Sequence, residues 1–221
     1  MNIIGFSSGV IGRESNVDRM VKAVLERTGA NTEFVKLTDL SYSGCKGCVE
    51  LCAKPQVCRL EDDLLPYYKK IKEADAVVIG SPIYMSDING SMVSFIERFF
   101  GYRHVTVAVQ SKPFLAIACG HKKSRDITER IERRLGTYRV KLTDIIEYIS
   151  KAPPCLSCGR HRECSIGGLY GMLGEKAHSV EVTEEMFCRW EDDPDAVRRI
   201  DKAAGKLATA AETSATATNG V

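Results

Sequence analysis

Long apolar runs are missing from this chain. No window of about 18 uncharged apolar residues occurs in its 221 residues, so no membrane-spanning helix is read. An excess of one charge is missing too. The 31 Lys and Arg stand against 29 Asp and Glu, and a net charge of +2 offers little to a nucleic-acid backbone or an anionic membrane surface. The start, MNIIGFSSG, lacks a basic stretch before a long apolar core, so no secretory leader is read and a cytoplasmic location is expected. Cysteine is plentiful: nine residues, an odd number that fits poorly with a full set of internal disulfides. Cys45, Cys48, Cys52 and Cys58 cluster, as do Cys155, Cys158 and Cys164, while Cys119 and Cys188 stand apart.

Continuous apolar runs alternate with amphipathic stretches. Residues 2–7, 32–37, 76–80 and 113–118 read as buried strands, and a fifth strand lies somewhere within 138–149. Helices are expected after Ser15 and Asn16 and over 63–74, 92–100 and 126–135. Such alternation implies a parallel sheet covered on both faces. Five units fit a flavodoxin-like doubly wound domain, strand order 2-1-3-4-5, over 1–150. Residues 151–193 read as an appended cysteine-containing extension, 194–211 as a helix and 212–221 as a disordered tail.

Ligands of such sheets sit at the carboxyl ends of the strands. The loop after the first strand is Ser7-Ser8-Gly9-Val10-Ile11-Gly12-Arg13-Glu14-Ser15-Asn16. It combines hydroxyls, glycines, an arginine and a helix N-terminus, a combination suited to phosphate. It carries neither a dinucleotide fingerprint nor a P-loop. A capped helix after an ordinary turn is the plainer reading. After the third strand comes Ser81-Pro82-Ile83-Tyr84-Met85, and the end of the fourth reads Cys119-Gly120-His121.

Thiolates are soft ligands that select zinc, copper(I) or iron–sulfur clusters. Four in the compact run Cys45-x2-Cys48-x3-Cys52-x5-Cys58 favour a [4Fe–4S] cluster over zinc, which prefers separated knuckles. Free thiols or a redox disulfide are the alternative. For Cys155-x2-Cys158-x5-Cys164, a second cluster, a zinc site and plain thiols weigh equally; Cys188, Cys119, His161 or a second subunit are candidate fourth ligands.

The first loop, the cysteine run, the Asp62-Asp63 pair and SPIYMSDINGSMVSFIERF together resemble the flavodoxin-like NADPH-dependent FMN reductases, and within them the iron–sulfur flavoproteins. The resemblance covers roughly residues 2–120. It implies that Ser7, Ser8, Arg13, Ser15 and Asn16 hold the FMN phosphate. It implies that Ser81, Pro82, Ile83, Tyr84 and Met85 flank the flavin ring and that Cys119, Gly120 and His121 approach its other side. It further implies a [4Fe–4S] cluster on Cys45, Cys48, Cys52 and Cys58, a homodimer or dimer of dimers, and ferredoxin or NAD(P)H as electron donor. The resulting expectation is electron transfer between FMN and the cluster. A cluster-free NAD(P)H-dependent FMN or quinone reductase is the first alternative. A cysteine-based redox-sensing or metal-binding module is the second.

Overall fold

The computed structural model describes the backbone of residues 1–218 and the side chains of 1–214. Five parallel strands form its centre: β1 (Asn2–Ser7), β2 (Asn31–Lys36), β3 (Ala76–Tyr84), β5 (Pro113–Gly120) and β6 (Lys141–Ile149), with a two-residue strand β4 (Asp87–Ile88) folded back antiparallel on β3. The order β2-β1-β3-β5-β6 is that of a flavodoxin-like doubly wound sheet, as expected. Each central strand buries both faces, which explains the unbroken apolar runs. In β5, Phe114, Ala116 and Ala118 enter one core, while Leu115 and Ile117 enter the other.

The first core lies beneath α3 (Leu65–Glu73), α4 (Gly90–Glu97) and α5 (Ile127–Gly136). Its centre is aromatic: Phe99 packs edge-on against Phe95, Phe114 and Tyr138. The second core lies beneath α1 (Asn16–Arg27) and the C-terminal helix α8 (Pro194–Thr218). Val17, Met20, Val21 and Val24 of α1, and Ile200, Ala203, Ala204, Leu207 and Ala211 of α8, face the sheet at helical spacing. Residues 151–193 therefore lie between the last strand and the last helix. They carry two short helices, α6 (Cys155–Cys158) and α7 (Gly168–Leu173), and four short 3-10 turns around a small core of Leu156, Leu169 and Ala177.

Several boundaries differ from expectation. The strand read over 76–80 continues to Tyr84, because Ile83 pairs with Ile88 and Tyr84 with Asp87 across a hairpin. Ser81 to Tyr84 are thus strand and not loop. Its tip, Met85-Ser86, holds both residues at positive φ (49° and 61°), the conformation of a tight two-residue hairpin turn usually made by Asn-Gly. Likewise Cys119 and Gly120 belong to β5. The last helix runs past 211 to Thr218, so the tail expected over 212–221 is helical as far as it is described. Alanine-rich composition and the buried Ala211 account for this. Residues 219–221 lie outside the described residues.

Candidate functional site

At the carboxyl ends of β1, β2 and β3 an open cleft of about 560 Å³ is lined by Ser8, Gly9, Val10, Ile11, Leu37, Thr38, Leu40, Tyr42, Tyr84, Asn89, Gly90, Ser91 and Ser94. Its size is that of a small-molecule or cofactor site. Asn89 stitches it together. Its side chain accepts from the Met92 N–H at 3.1 Å, capping α4, and donates to the Ser8 carbonyl at 2.9 Å. Its own N–H donates to Ser81 Oγ at 3.0 Å. Thr38 Oγ1 donates to the Gly9 carbonyl at 2.8 Å, fixing the opposite wall. The Tyr42 hydroxyl donates to the Ser91 carbonyl at 2.7 Å, and burial pushes its pKa up to about 12.

Of the five residues expected to hold phosphate, only Ser8 lines the cleft. Ser7 donates to Asp18 Oδ1 at 2.6 Å and Ser15 to Asp18 Oδ2 at 2.7 Å. Asp18 is buried at the third position of α1, where it also accepts from the Ser15 N–H, and Lys36 balances its charge at 3.3 Å. Arg13 turns away and donates to Ser157 Oγ at 2.8 Å. Asn16 Nδ2 donates to the Cys188 carbonyl at 3.1 Å, and its Oδ1 accepts from the Trp190 N–H at 3.3 Å. The 151–193 segment has thus claimed both residues. Tyr84, half exposed, lines the cleft, while Ile83 packs against the first core and Met85 is 98% exposed at the hairpin tip. Pro82 is buried within β3.

The end of β5 differs from expectation in one respect. Strand alternation turns the Cys119 thiol toward α1, where it meets Met20 Sδ at 3.5 Å, and burial raises its pKa. Gly120 approaches Ile83. His121 is half-buried, and partial burial together with Lys122 lowers its pKa.

The first cysteine group occupies the loop after β2 and the single turn α2 (Val49–Cys52). Cys52 and Cys58 are buried, whereas Cys45 is exposed. Burial pushes the Cys52 thiol pKa up, and charge on Cys48, Cys58 and Cys45 pushes it the same way, so the four thiols feel one another. Beneath them lies a cation that sequence reading missed. Arg98 is fully buried, donates from Nε to Cys58 Sγ at 3.1 Å and pairs with Asp62. His104, also missed, sits 3.1 Å from Cys52 Sγ through Nε2. Gly101 is pressed against the Cys58 backbone: a Cβ there would stand 2.5 Å from the Cys58 nitrogen, so only glycine fits. The other member of the acidic pair, Asp63, accepts the Ser41 N–H at 2.7 Å. Hydrogen bonds to sulfur and a buried guanidinium suit anionic thiolates, so the donor set fits an iron–sulfur group chemically. Nevertheless, among the described residues no three His, Cys, Asp or Glu side chains converge closely enough to hold a metal ion. The loop adjoins the cleft. Tyr42 lines it, and the Cα of Gly44 faces Ser94 and Glu97 of α4, so that a Cβ would lie 3.6 Å from Ser94 Oγ.

In the second group Cys155 and Cys164 are half-buried and Cys158 is exposed. His161, a candidate fourth ligand, is buried, with Nε2 2.9 Å from the Val180 carbonyl.

A five-stranded doubly wound sheet with a cleft over the carboxyl ends of its strands defines a flavodoxin-like protein. A solved structure of an archaeal flavodoxin superposes with a TM-score of 0.51 at 12% identity, covering 96% of this chain and 99% of that one. Residues 1–145 match the family described as NADPH-dependent FMN reductase, and the chain belongs to that family. It is 33% identical over 101 residues to an iron–sulfur flavoprotein of Methanocaldococcus jannaschii, which covers 44% of this chain and 51% of that protein. A second iron–sulfur flavoprotein, from Methanosarcina thermophila, is 25% identical over 127 residues, 56% of this chain and 65% of the relative. The chain thus aligns with about half to two thirds of the length of these relatives. Among the described residues no helix is long and apolar enough to cross a membrane.

Proposed function

We propose that the chain is an FMN-dependent electron-transfer oxidoreductase that also holds a [4Fe–4S] cluster on Cys45, Cys48, Cys52 and Cys58. One observation carries the reading: the cysteine loop and the cleft share a wall, through Tyr42 and through Gly44 against α4. FMN, when bound, accepts electrons in pairs and releases them singly, and a cluster carries one at a time, so the two together link unlike donors and acceptors. The chain's own residues do the positioning. Tyr84 and the Ile83 end of β3 would flank the ring of bound FMN, while Asn89 and Thr38 brace the loop after β1 at the cleft's walls. The backbone of Gly9 to Gly12 would receive the phosphate, with Arg13 rotating from Ser157 to join it. Arg98 and His104 would tune the cluster through hydrogen bonds to sulfur. Ferredoxin or a reduced nicotinamide supplies electrons in this reading, and the chain works as a dimer or dimer of dimers. Anaerobic purification followed by optical and paramagnetic spectroscopy tests it. Stoichiometric FMN and about four irons per chain are expected. FMN without iron or sulfide after anaerobic reconstitution would leave a cluster-free reductase.

A further inference from the structure

The second cysteine group is the chemically loaded feature that the cleft and the first group leave unused. Cys155 and Cys158 lie one turn apart on α6, and Cys164 follows a short turn over 161–163. A Cβ on Gly167 would stand 2.7 Å from Cys155 Sγ and 3.2 Å from Cys164 Sγ. Both sulfurs therefore abut the bare side of one glycine, and their separation is at most the sum of those two distances. The Leu169 N–H donates to Cys155 Sγ at 3.3 Å and fixes that sulfur beside the glycine. A soft metal needs three or four converging donors. The contacts at Gly167 bring two sulfurs of the group together, and two sulfurs are what a disulfide requires.

We propose that Cys155 and Cys164 form a redox-active dithiol that closes by exchange with a low-molecular-weight disulfide. Cys155, giving up its proton, attacks the small disulfide, whose S–S bond breaks. One small thiol leaves, and a mixed disulfide remains on Cys155. Cys164, giving up its proton, then attacks Cys155 Sγ and releases the second small thiol. Two electrons pass from the protein sulfurs to the small disulfide, and the two protons leave on the two small thiols.

The position of the pair gives closure a consequence. Ser157, between the two cysteines of α6, accepts the hydrogen bond from Arg13 at 2.8 Å. Drawing Cys155 onto Cys164 shifts that turn and frees Arg13 for an anion in the loop after β1. This consequence rests on the FMN reading; the dithiol does not.

The test treats the full chain anaerobically with oxidised glutathione, then alkylates and digests it with trypsin. A cross-link between peptides 152–160 and 163–176, mapped to Cys155 and Cys164 and opened by reduced glutathione, is expected. Cys164→Ser abolishes it. So does Gly167→Ala, whose methyl group falls between the sulfurs, with an unchanged circular dichroism spectrum showing that the fold is kept. A Cys155–Cys158 bond, a glutathione adduct that never resolves, or a zinc ion retained on the three thiols would overturn the dithiol. FMN affinity, read by fluorescence quenching, should be about tenfold higher in the oxidised protein, with riboflavin unchanged and the difference lost in Ser157→Ala. Equal FMN affinity in both states would overturn the coupling. No FMN binding in either state would overturn the flavin reading, while the cross-link still decides the dithiol.

Discussion

The two cysteine groups share a residue type and close spacing, but their surroundings differ. Cys58 rests on a fully buried Arg98, and Cys52 touches His104, so the first group is built into the same layer as the aromatic core. Among the described residues no charged side chain hydrogen-bonds a sulfur of the second group. Its two neighbouring sulfurs share a glycine and a backbone N–H, and its segment packs around only a small satellite core. Thiolates over a fixed positive charge suit a permanent inorganic guest, whereas a pair on a lightly anchored turn suits reversible bond making. Spacing alone does not separate these cases; what lies underneath does.

Four measurements press on that contrast. The largest effect is expected in metal content. Cys58→Ser should bring anaerobically isolated protein from about four irons to nearly none, while Cys155→Ser keeps them. Equal iron in the two variants would erase the distinction. Arg98→Ala follows. It leaves Asp62 without its partner and Cys58 without its donor, and should cost about 3–5 kcal/mol in urea unfolding. A cost below about 1 kcal/mol would mean that the first group is as loosely held as the second. Asn89→Ala removes a helix cap and the tie to Ser8, for about 1–2 kcal/mol and a weakened FMN complex. Unchanged FMN affinity would separate that tie from cofactor binding.

The smallest effect is acid-dependent. Burial acts to raise the Asp87 pKa, but the hydrogen bond from Arg134, the Ile88 N–H and the charge of Arg130 outweigh it and hold the carboxyl below its ordinary value. A lowered folded pKa adds stability above the unfolded value of about 3.9, and this is lost as pH falls through the folded value. Asp87→Asn should therefore cost under about 1 kcal/mol at neutral pH, and the gap should close on acidification. A gap that does not narrow on acidification would assign the loss to packing at the hairpin.

The sheet was legible in the sequence because its strands are covered twice and so read as unbroken apolar runs. The cleft was legible through SPIY and the first loop, since both end at strand termini. The hairpin after β3 was not, because its tip is Met85-Ser86 where a glycine would have signalled the turn. The roles of Arg98, His104 and Asn89 could not be read for another reason. Their partners Asp62, Cys52 and Ser8 lie 36, 52 and 81 positions away, and no local pattern marks such pairs. Asp18 was hidden by its neighbours. A carboxylate beside Ser15 reads as a surface charge until the fold turns it inward onto Ser7.

The closing helix has a bearing on how the protein is made. Ile200, Ala203, Leu207 and Ala211 cover a face of the sheet that α1 cannot shield alone. They follow the whole cysteine-bearing insert in chain order. A nascent chain on the ribosome therefore carries a half-clothed sheet until α8 has emerged, and its thiols appear before the helix that completes the fold around them.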